Sequence, residues 1–147
     1  MSSPAAGASH SRELPAIEKT ITGAQVRRYA EASGDFNPVH LDEEFAAKSS
    51  FGRIVAHGML TLAFLSEMMT QAYGGSWLDS GSLKVRFRRP AYPGDRVRTQ
   101  GQVTEEVERD GVRRVRCAVA LLNSEDGEEI ISGTAEVRVP IGKATQK

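Results

Sequence analysis

Residues 57–75, HGMLTLAFLSEMMTQAYGG, have the pattern of an α-helix that is apolar on nearly every side. Polar residues appear only in its later turns, whereas the first turns are filled by apolar side chains: Met59, Leu60, Leu62, Ala63, Phe64 and Leu65. A helix that is apolar all round is buried, since any exposed face would place apolar side chains in water. The rest of the chain therefore has to enclose this helix.

Beyond residue 80 the apolar residues recur at every second position, the period of a strand with one buried face. Alternation of this kind covers residues 82–89, 96–107, 113–121 and 130–139. Asp-Gly pairs separate the last three segments, as is typical of β-hairpins. The pattern predicts an α+β fold in which an antiparallel β-sheet wraps around the long central helix. One sheet cannot cover such a helix completely, so we expect a second copy of the chain to form a homodimer.

The N-terminal part carries signals for one short strand and two helices. The strand is predicted at residues 15–21. Thr22 is a suitable N-cap for a helix over about 24–33, which Gly34 ends. Asp42 can cap a further short helix that begins at EEFAAKSS.

Length and composition exclude several classes of function. With 147 residues, 19 Lys plus Arg and 19 Asp plus Glu, the chain lacks the basic field that favours nucleic acid. We expect a disordered leader (1–13), a single domain (14–142) and a tail (143–147). Cys117 is the only cysteine, which fits a reducing, cytoplasmic compartment. No membrane insertion is expected, because the longest apolar run is too short to span a bilayer. The spacing of the histidines predicts no metal site.

The loop GDFNPVH at residues 34–40 combines an acid, an amide, a proline and a histidine. A turn requires only Asp35, Asn37 and Pro38, because Asx side chains bond nearby backbone and proline fixes φ. Pro38 also limits the conformations of the loop, which would hold Asp35 and His40 at a fixed separation. The alternative interpretation is an ordinary Asx turn beside an incidental histidine.

Residues 29–46, YAEASGDFNPVHLDEEFA, closely resemble the signature of the MaoC-like, (R)-specific enoyl-CoA hydratases, which have the hot-dog fold. The segment IVAHGML at 54–60 is similar to the entry of that family's central helix, and RRPAYPGDRV at 88–97 resembles a later turn. The family signature consists of an aromatic residue, a small residue, the motif G-D-x-N-P-aliphatic-H and a further small residue. In residues 29–46 the matching positions are Tyr29, Ser33, Gly34, Asp35, Asn37, Pro38, Val39, His40 and Ala46.

The resemblance implies an enzyme that reversibly hydrates trans-2-enoyl thioesters of CoA or acyl carrier protein, without a metal or redox cofactor. It implies Asp35 and His40 as the catalytic pair, at the interface of a homodimer or of a heteromer with a related subunit. It assigns the amide of Gly58 as donor to the thioester oxygen. Ser66 occupies the place where some relatives carry a serine that helps to orient the acid.

Hydration requires a base that activates water, an acid that protonates C2 and a donor to the thioester oxygen. His40 can accept or donate a proton, whereas ionised Asp35 can only accept; the sequence does not assign the base. Gly58 has no side chain, so a substrate oxygen can come close to its amide at the helix N-terminus, where the positive potential stabilises an oxyanion. The alternative is that Gly58 only caps the helix and allows close packing. The alternative for Ser66 is a structural role, in which its hydroxyl group donates a hydrogen bond to the main-chain carbonyl oxygen one helical turn earlier.

Two other functions share this fold. A hot-dog thioesterase would have its base elsewhere, with Glu67 as a candidate, and a non-catalytic acyl-binding subunit would need neither Asp35 nor His40. Alternating arginines on a strand usually form its solvated face, and we prefer that interpretation to the binding of CoA phosphates. It applies to Arg86, Arg88, Arg89, Arg113, Arg114 and Arg116.

Overall fold

The computed structural model describes residues 12–141, which form one five-stranded antiparallel sheet with helices. The strand order in the sheet is β1-β3-β4-β5-β2. The strands are β1 (Glu18–Thr20), β2 (Ser82–Phe87), β3 (Arg96–Arg109), β4 (Val112–Asn123) and β5 (Glu129–Pro140). The helices are α1 (Gly23–Ser33), α2 (Glu43–Ala47), α3 (Gly58–Tyr73) and α4 (Gly75–Ser80), with a 3₁₀ turn at Pro38–His40.

The long helix α3 lies in the core, as its sequence predicts. It contacts β3, β4 and β5, the three longest strands. Leu65, Met68 and Met69 are completely buried, and they belong to the same apolar cluster as the inward residues of these strands. Each such side chain contributes roughly 1.5–3 kcal/mol through burial. The predicted sheet around a central helix is therefore confirmed.

The hairpin between β3 and β4 follows from its Asp-Gly pair. Asp110 and Gly111 both have positive φ, 56° and 76°, which matches the right-handed twist of the flanking strands. The alternation along β3 shifts at an irregularity between Val103 and Glu105. The alternation over 96–107 places Val107 on the same buried face as Val97 and Val103. Val107 is exposed instead, because the extra residue turns the following side chains over.

Local capping signals set the helix ends. Thr22 Oγ1 accepts a hydrogen bond from the Gln25 amide at the start of α1, and Gly34 ends α1 in the left-handed conformation, with φ 80°. The carboxylate of Asp42 accepts from two amides of α2. Helix α4, which the sequence analysis did not predict, begins directly after Gly74.

Arg12 and Glu13 of the predicted leader lie alongside β3, where the Val103 amide donates to the Arg12 carbonyl oxygen at 2.8 Å. The rest of that leader, and the predicted tail at 143–147, lie outside the described residues. The predicted first strand is confirmed in part, as β1. Among residues 12–141, none of the helices has the length and apolar character required to cross a membrane.

Candidate active site

The loop that follows α1 is held by its own polar side chains. The Asp35 amide donates to Ser33 Oγ at 3.2 Å, and the Asn37 amide donates to Asp35 Oδ1 at 3.2 Å. The Val39 amide donates to Asn37 Oδ1 at 3.0 Å. These side-chain bonds replace the helical hydrogen bonds that end at Gly34, so the backbone reverses within a few residues. Asn37 thus bonds nearby backbone, as the sequence predicts, and its supporting role in catalysis stays a prediction.

Pro38 begins the 3₁₀ turn that brings His40 back towards Asp35. The His40 amide donates to the Asn37 carbonyl oxygen at 3.0 Å, which closes the turn. His40 Nε2 consequently lies 3.9 Å from Asp35 Oδ2. The structure therefore brings together the two residues predicted as the catalytic pair. Asp35 is half-exposed and His40 is nearly buried.

The hydrogen bond of His40 to the main chain fixes the orientation of its ring. Nδ1 lies 2.7 Å from the Val55 carbonyl oxygen. A carbonyl oxygen can only accept, so Nδ1 carries the proton and the neutral ring has its lone pair on Nε2. That lone pair faces Asp35. His40 can therefore accept a proton at the nitrogen nearest to the carboxylate.

His57 lies beneath the pair and connects it to α3. Its ring stacks on that of His40, with centroids 3.8 Å apart, and Tyr29 packs edge-on against it at 4.8 Å. Its Nε2 donates to the Asp35 carbonyl oxygen at 3.1 Å. This contact is not apparent from the sequence, because Asp35 lies 22 residues before His57 along the chain.

Burial determines the charge of His57. The side chain is 1% exposed, and its Nδ1 has no hydrogen-bond partner among residues 12–141. Burial lowers the pKa of His57 below its usual 6.5; the hydrogen bond to Asp35 opposes this shift, and the nearby His40 adds to it. His57 is therefore held neutral as a packing and positioning group.

Gly58 is the first residue of α3, and its amide forms no hydrogen bond within residues 12–141. The first amides of a helix have no intrahelical partner and carry the positive end of the helix dipole. A Cβ at this position would lie 3.2 Å from the Phe87 ring, so glycine permits the close packing of β2 against the helix start. Both interpretations of Gly58, as donor and as packing residue, fit this geometry.

An apolar cavity of about 440 Å³ opens beside these groups. It is lined by both His40 and Gly58, together with Thr61, Phe87, Ala91 and Ile130. Thr61 Oγ1 donates back to the Gly58 carbonyl oxygen at 2.6 Å, which leaves the amide side of Gly58 unobstructed by this hydroxyl. The cavity can accept an apolar chain whose polar end lies between the Asp–His pair and the start of α3.

Two other residues singled out in the sequence lie away from this site. Ser66 Oγ accepts from the Trp77 indole at 3.0 Å, so Ser66 connects α3 to α4 and forms no hydrogen bond to Asp35 or His40. Glu67 forms an ion pair with Lys19 at 3.1 Å near the surface. Neither contact was predictable from the chain, because α4 and β1 approach α3 only in the folded protein.

A metal ion is a further possibility for the three clustered side chains. Asp35, His40 and His57 each bring one candidate ligand atom within 4.8 Å of the others. However, the carbonyl hydrogen bonds already occupy one nitrogen of each ring, and His57 Nδ1 is buried. These three side chains therefore suit proton transfer better than the coordination of a metal ion. The absence of a metal ion from the site, expected from the sequence, stays a prediction.

A family model described as "MaoC like domain" matches residues 6–128. The chain belongs to the MaoC-like family. It is 34% identical over 124 residues to a 3-hydroxybutyryl-CoA dehydratase of Methylorubrum extorquens, a match that covers 84% of this chain and 76% of the relative. An (R)-specific enoyl-CoA hydratase of Aeromonas caviae is 32% identical over 127 residues, covering 84% of this chain and 90% of that protein.

Solved structures of MaoC-like proteins share the fold. The (R)-hydratase of A. caviae superimposes with a TM-score of 0.76 at 27% identity, and the match covers 88% of this chain and 96% of that one. An R-hydratase of Pseudomonas aeruginosa gives a TM-score of 0.76 at 30% identity, over 90% and 82% of the two chains. The predicted hot-dog fold is thereby confirmed.

The lowered pKa of His57 predicts a pH-dependent stability. Below about 6.5 the unfolded chain binds this proton more readily than the folded protein, so the free energy of unfolding decreases as pH falls. Above 6.5 the residue is neutral in both states and contributes no slope. His57→Gln retains an N–H donor but does not titrate, so its stability should fall less between pH 7 and pH 5. Urea unfolding at both pH values measures this, and equal slopes in the two proteins would contradict it.

Proposed function

We propose that this MaoC-like protein catalyses the reversible addition of water to trans-2-enoyl thioesters, which gives (R)-3-hydroxyacyl thioesters. One observation carries the proposal: Asp35 Oδ2 and His40 Nε2 face each other at 3.9 Å, beside an apolar cavity that His40 and Gly58 share. The Methylorubrum and Aeromonas relatives are named for the two directions of this reaction, which supports the proposal.

The separation of the pair suits a shared water molecule. A distance of 3.9 Å is too long for a direct hydrogen bond, but it allows one water to donate to both acceptors. In the proposed reaction the water oxygen bonds to C3 and its proton passes to the pair. A proton from the pair then forms the new bond at C2. His40 lines the cavity and Asp35 Oδ2 lies 3.9 Å from His40 Nε2, so the proposed pair acts from one side of the bound chain and both additions occur on the same face of the alkene.

Negative charge develops on the thioester oxygen while C3 is attacked. The unpaired Gly58 amide at the start of α3 is the proposed donor, since it adds a hydrogen bond to the positive end of the helix dipole. This N–H group is part of the main chain, so it needs no reorganisation during the reaction. With a water-activating pair and this donor, hydration proceeds without a redox step, and we propose that no cofactor is used.

The assembly is proposed to be a homodimer whose subunits meet near the site. Four large apolar side chains around the site are exposed in the single chain: Phe36, Phe51, Met59 and Phe87. A second subunit would cover this surface and convert the open cavity into an enclosed pocket. The substrate is an acyl thioester of CoA or of an acyl carrier protein, and the proposed location is the cytoplasm.

The direct experiment mixes purified protein with crotonyl-CoA and follows the enoyl chromophore. Loss of this absorbance with an intact thioester supports hydration. Release of free CoA thiol with unchanged enoyl absorbance would instead indicate a thioesterase. Binding without turnover would indicate an acyl-binding subunit, and the assay is then repeated after co-expression with related subunits.

Asp35→Asn and His40→Gln should each lower kcat by about 10²–10⁴-fold, because each replaces a group that can take up and return a proton with an amide that cannot. Both substitutions nearly preserve side-chain volume, so the fold should remain, as circular dichroism and thermal unfolding will show. Glu67→Gln is the matched control, since it removes a surface carboxylate on α3 that lies in an ion pair with Lys19. Equal loss of turnover in all three variants would contradict the assignment.

Gly58→Pro tests the amide donor separately from the shape of the site. Proline is tolerated at the first position of a helix, and His57 already has ψ 137°, which suits a residue before proline. Gly58→Ala adds a Cβ against Phe87 but retains the N–H, so it controls for crowding. We expect Gly58→Pro to lower kcat by about 10²–10³-fold more than Gly58→Ala. Similar values in the two variants would show that Gly58 acts only in packing.

A further inference from the structure

Most of the arginines singled out in the sequence are bound by carboxylates at the surface. Arg89, for example, lies 2.8 Å from Glu128 and 2.9 Å from Asp126. These pairs support the expected solvated face, in which surface carboxylates partly neutralise the guanidinium groups. The remaining pairs are Arg88 with Glu129, Arg113 with Glu108, and Arg116 with Glu105 and Glu136.

A second cavity, of about 420 Å³, lies on another side of His40. His40 lines both this cavity and the apolar one that contains Gly58. The second cavity differs in charge, because its wall contains Arg27 and Arg53 with only Glu43 as a carboxylate. Neither arginine forms a hydrogen bond or ion pair within residues 12–141, and Glu43 pairs with neither of them.

Arg53 is oriented by an aromatic ring rather than by an acid. Its guanidinium carbon lies 3.8 Å from the centroid of Tyr92. Stacking on the face of the ring holds the guanidinium plane and leaves its N–H groups available at the edge. This is the arrangement in which arginine binds planar or tetrahedral oxyanions, with its donors already positioned.

Arg27 lies where a cation is unfavourable in the absence of an anion. Its Nη1 is 3.5 Å from the position that a Cβ on Gly23 would occupy, at the N-terminus of α1. The first turn of α1 contains no acidic residue. The positive end of the helix and the guanidinium thus repel each other, and a bound anion would interact favourably with both.

We infer that Arg27 and Arg53 bind a phosphate group of the carrier that bears the acyl thioester. The inference rests on the proposed function, which places the reacting carbons beside His40, the residue shared by the two cavities. With the acyl chain in the apolar cavity, the carrier extends into the basic one. The phosphate is either the 4′-phosphate of phosphopantetheine, which CoA and acyl carrier protein share, or a nucleotide phosphate found only in CoA.

Calorimetric titration of the full chain with CoA, 4′-phosphopantetheine and pantetheine tests the site without requiring turnover. Arg27→Gln and Arg53→Gln should each weaken CoA binding by about tenfold, the effect of losing one charge-assisted hydrogen bond. Neither substitution should change the binding of pantetheine, which has no phosphate. Arg28→Gln is the matched control, because Arg28 is exposed and adjacent on α1 but does not line the cavity.

The three ligands distinguish the source of the phosphate. Weakened binding of both CoA and 4′-phosphopantetheine assigns the 4′-phosphate, and weakened binding of CoA alone assigns a nucleotide phosphate. Unchanged CoA affinity in both variants, or an equal loss in Arg28→Gln, would overturn the inference. Turnover of crotonyl N-acetylcysteamine, which carries no phosphate, separates this outcome from failure of the proposed function: the wild type should hydrate it even if the arginine site does not exist.

Discussion

The hydrogen bond from His57 Nε2 to the main-chain carbonyl of Asp35 connects the two halves of the site. Asp35 and His40 belong to a loop after α1, whereas Gly58 begins the buried helix α3. His57 directly precedes Gly58, so its single ring fixes the distance between the Asp35–His40 pair and the helix terminus. Its stacking on His40 adds a second constraint on the same group. Apart from His57, the loop is hydrogen-bonded to the segment before α3 through Val55, whose amide donates to the Val39 carbonyl oxygen and whose carbonyl oxygen accepts from His40 Nδ1.

This arrangement has an energetic cost that the core offsets. The buried Nδ1 of His57 has no hydrogen-bond partner within residues 12–141, and an unsatisfied buried polar atom costs about 1–3 kcal/mol. The complete burial of α3 residues such as Leu65 and Met68 contributes a comparable amount per side chain. Gly58 and Met59, however, are exposed in the single chain. Exclusion of water from the Gly58 amide, which would strengthen its interaction with developing charge, therefore depends on the proposed second subunit.

Features encoded by neighbouring residues were predictable from the sequence, and features that depend on distant contacts were not. The burial of α3, the hairpin turns and the cap at Thr22 follow from local periodicity and turn chemistry. The exposure of Val107 was missed because nothing in the sequence marks the irregularity in β3. The partner of Ser66 was missed because Trp77 reaches it only after α4 folds back. Likewise, the stacking of Arg53 on Tyr92 joins segments that are separate along the chain.

We propose that Asp35 and His40 act together on one water molecule from one side of the bound acyl chain. The most direct measurement is the hydration of crotonyl-CoA in D₂O, with the relative configuration at C2 and C3 of the product determined by NMR. A single product is expected, in which deuterium at C2 and the hydroxyl group at C3 were added to the same face. Addition to opposite faces, or a mixture of both products, would contradict it.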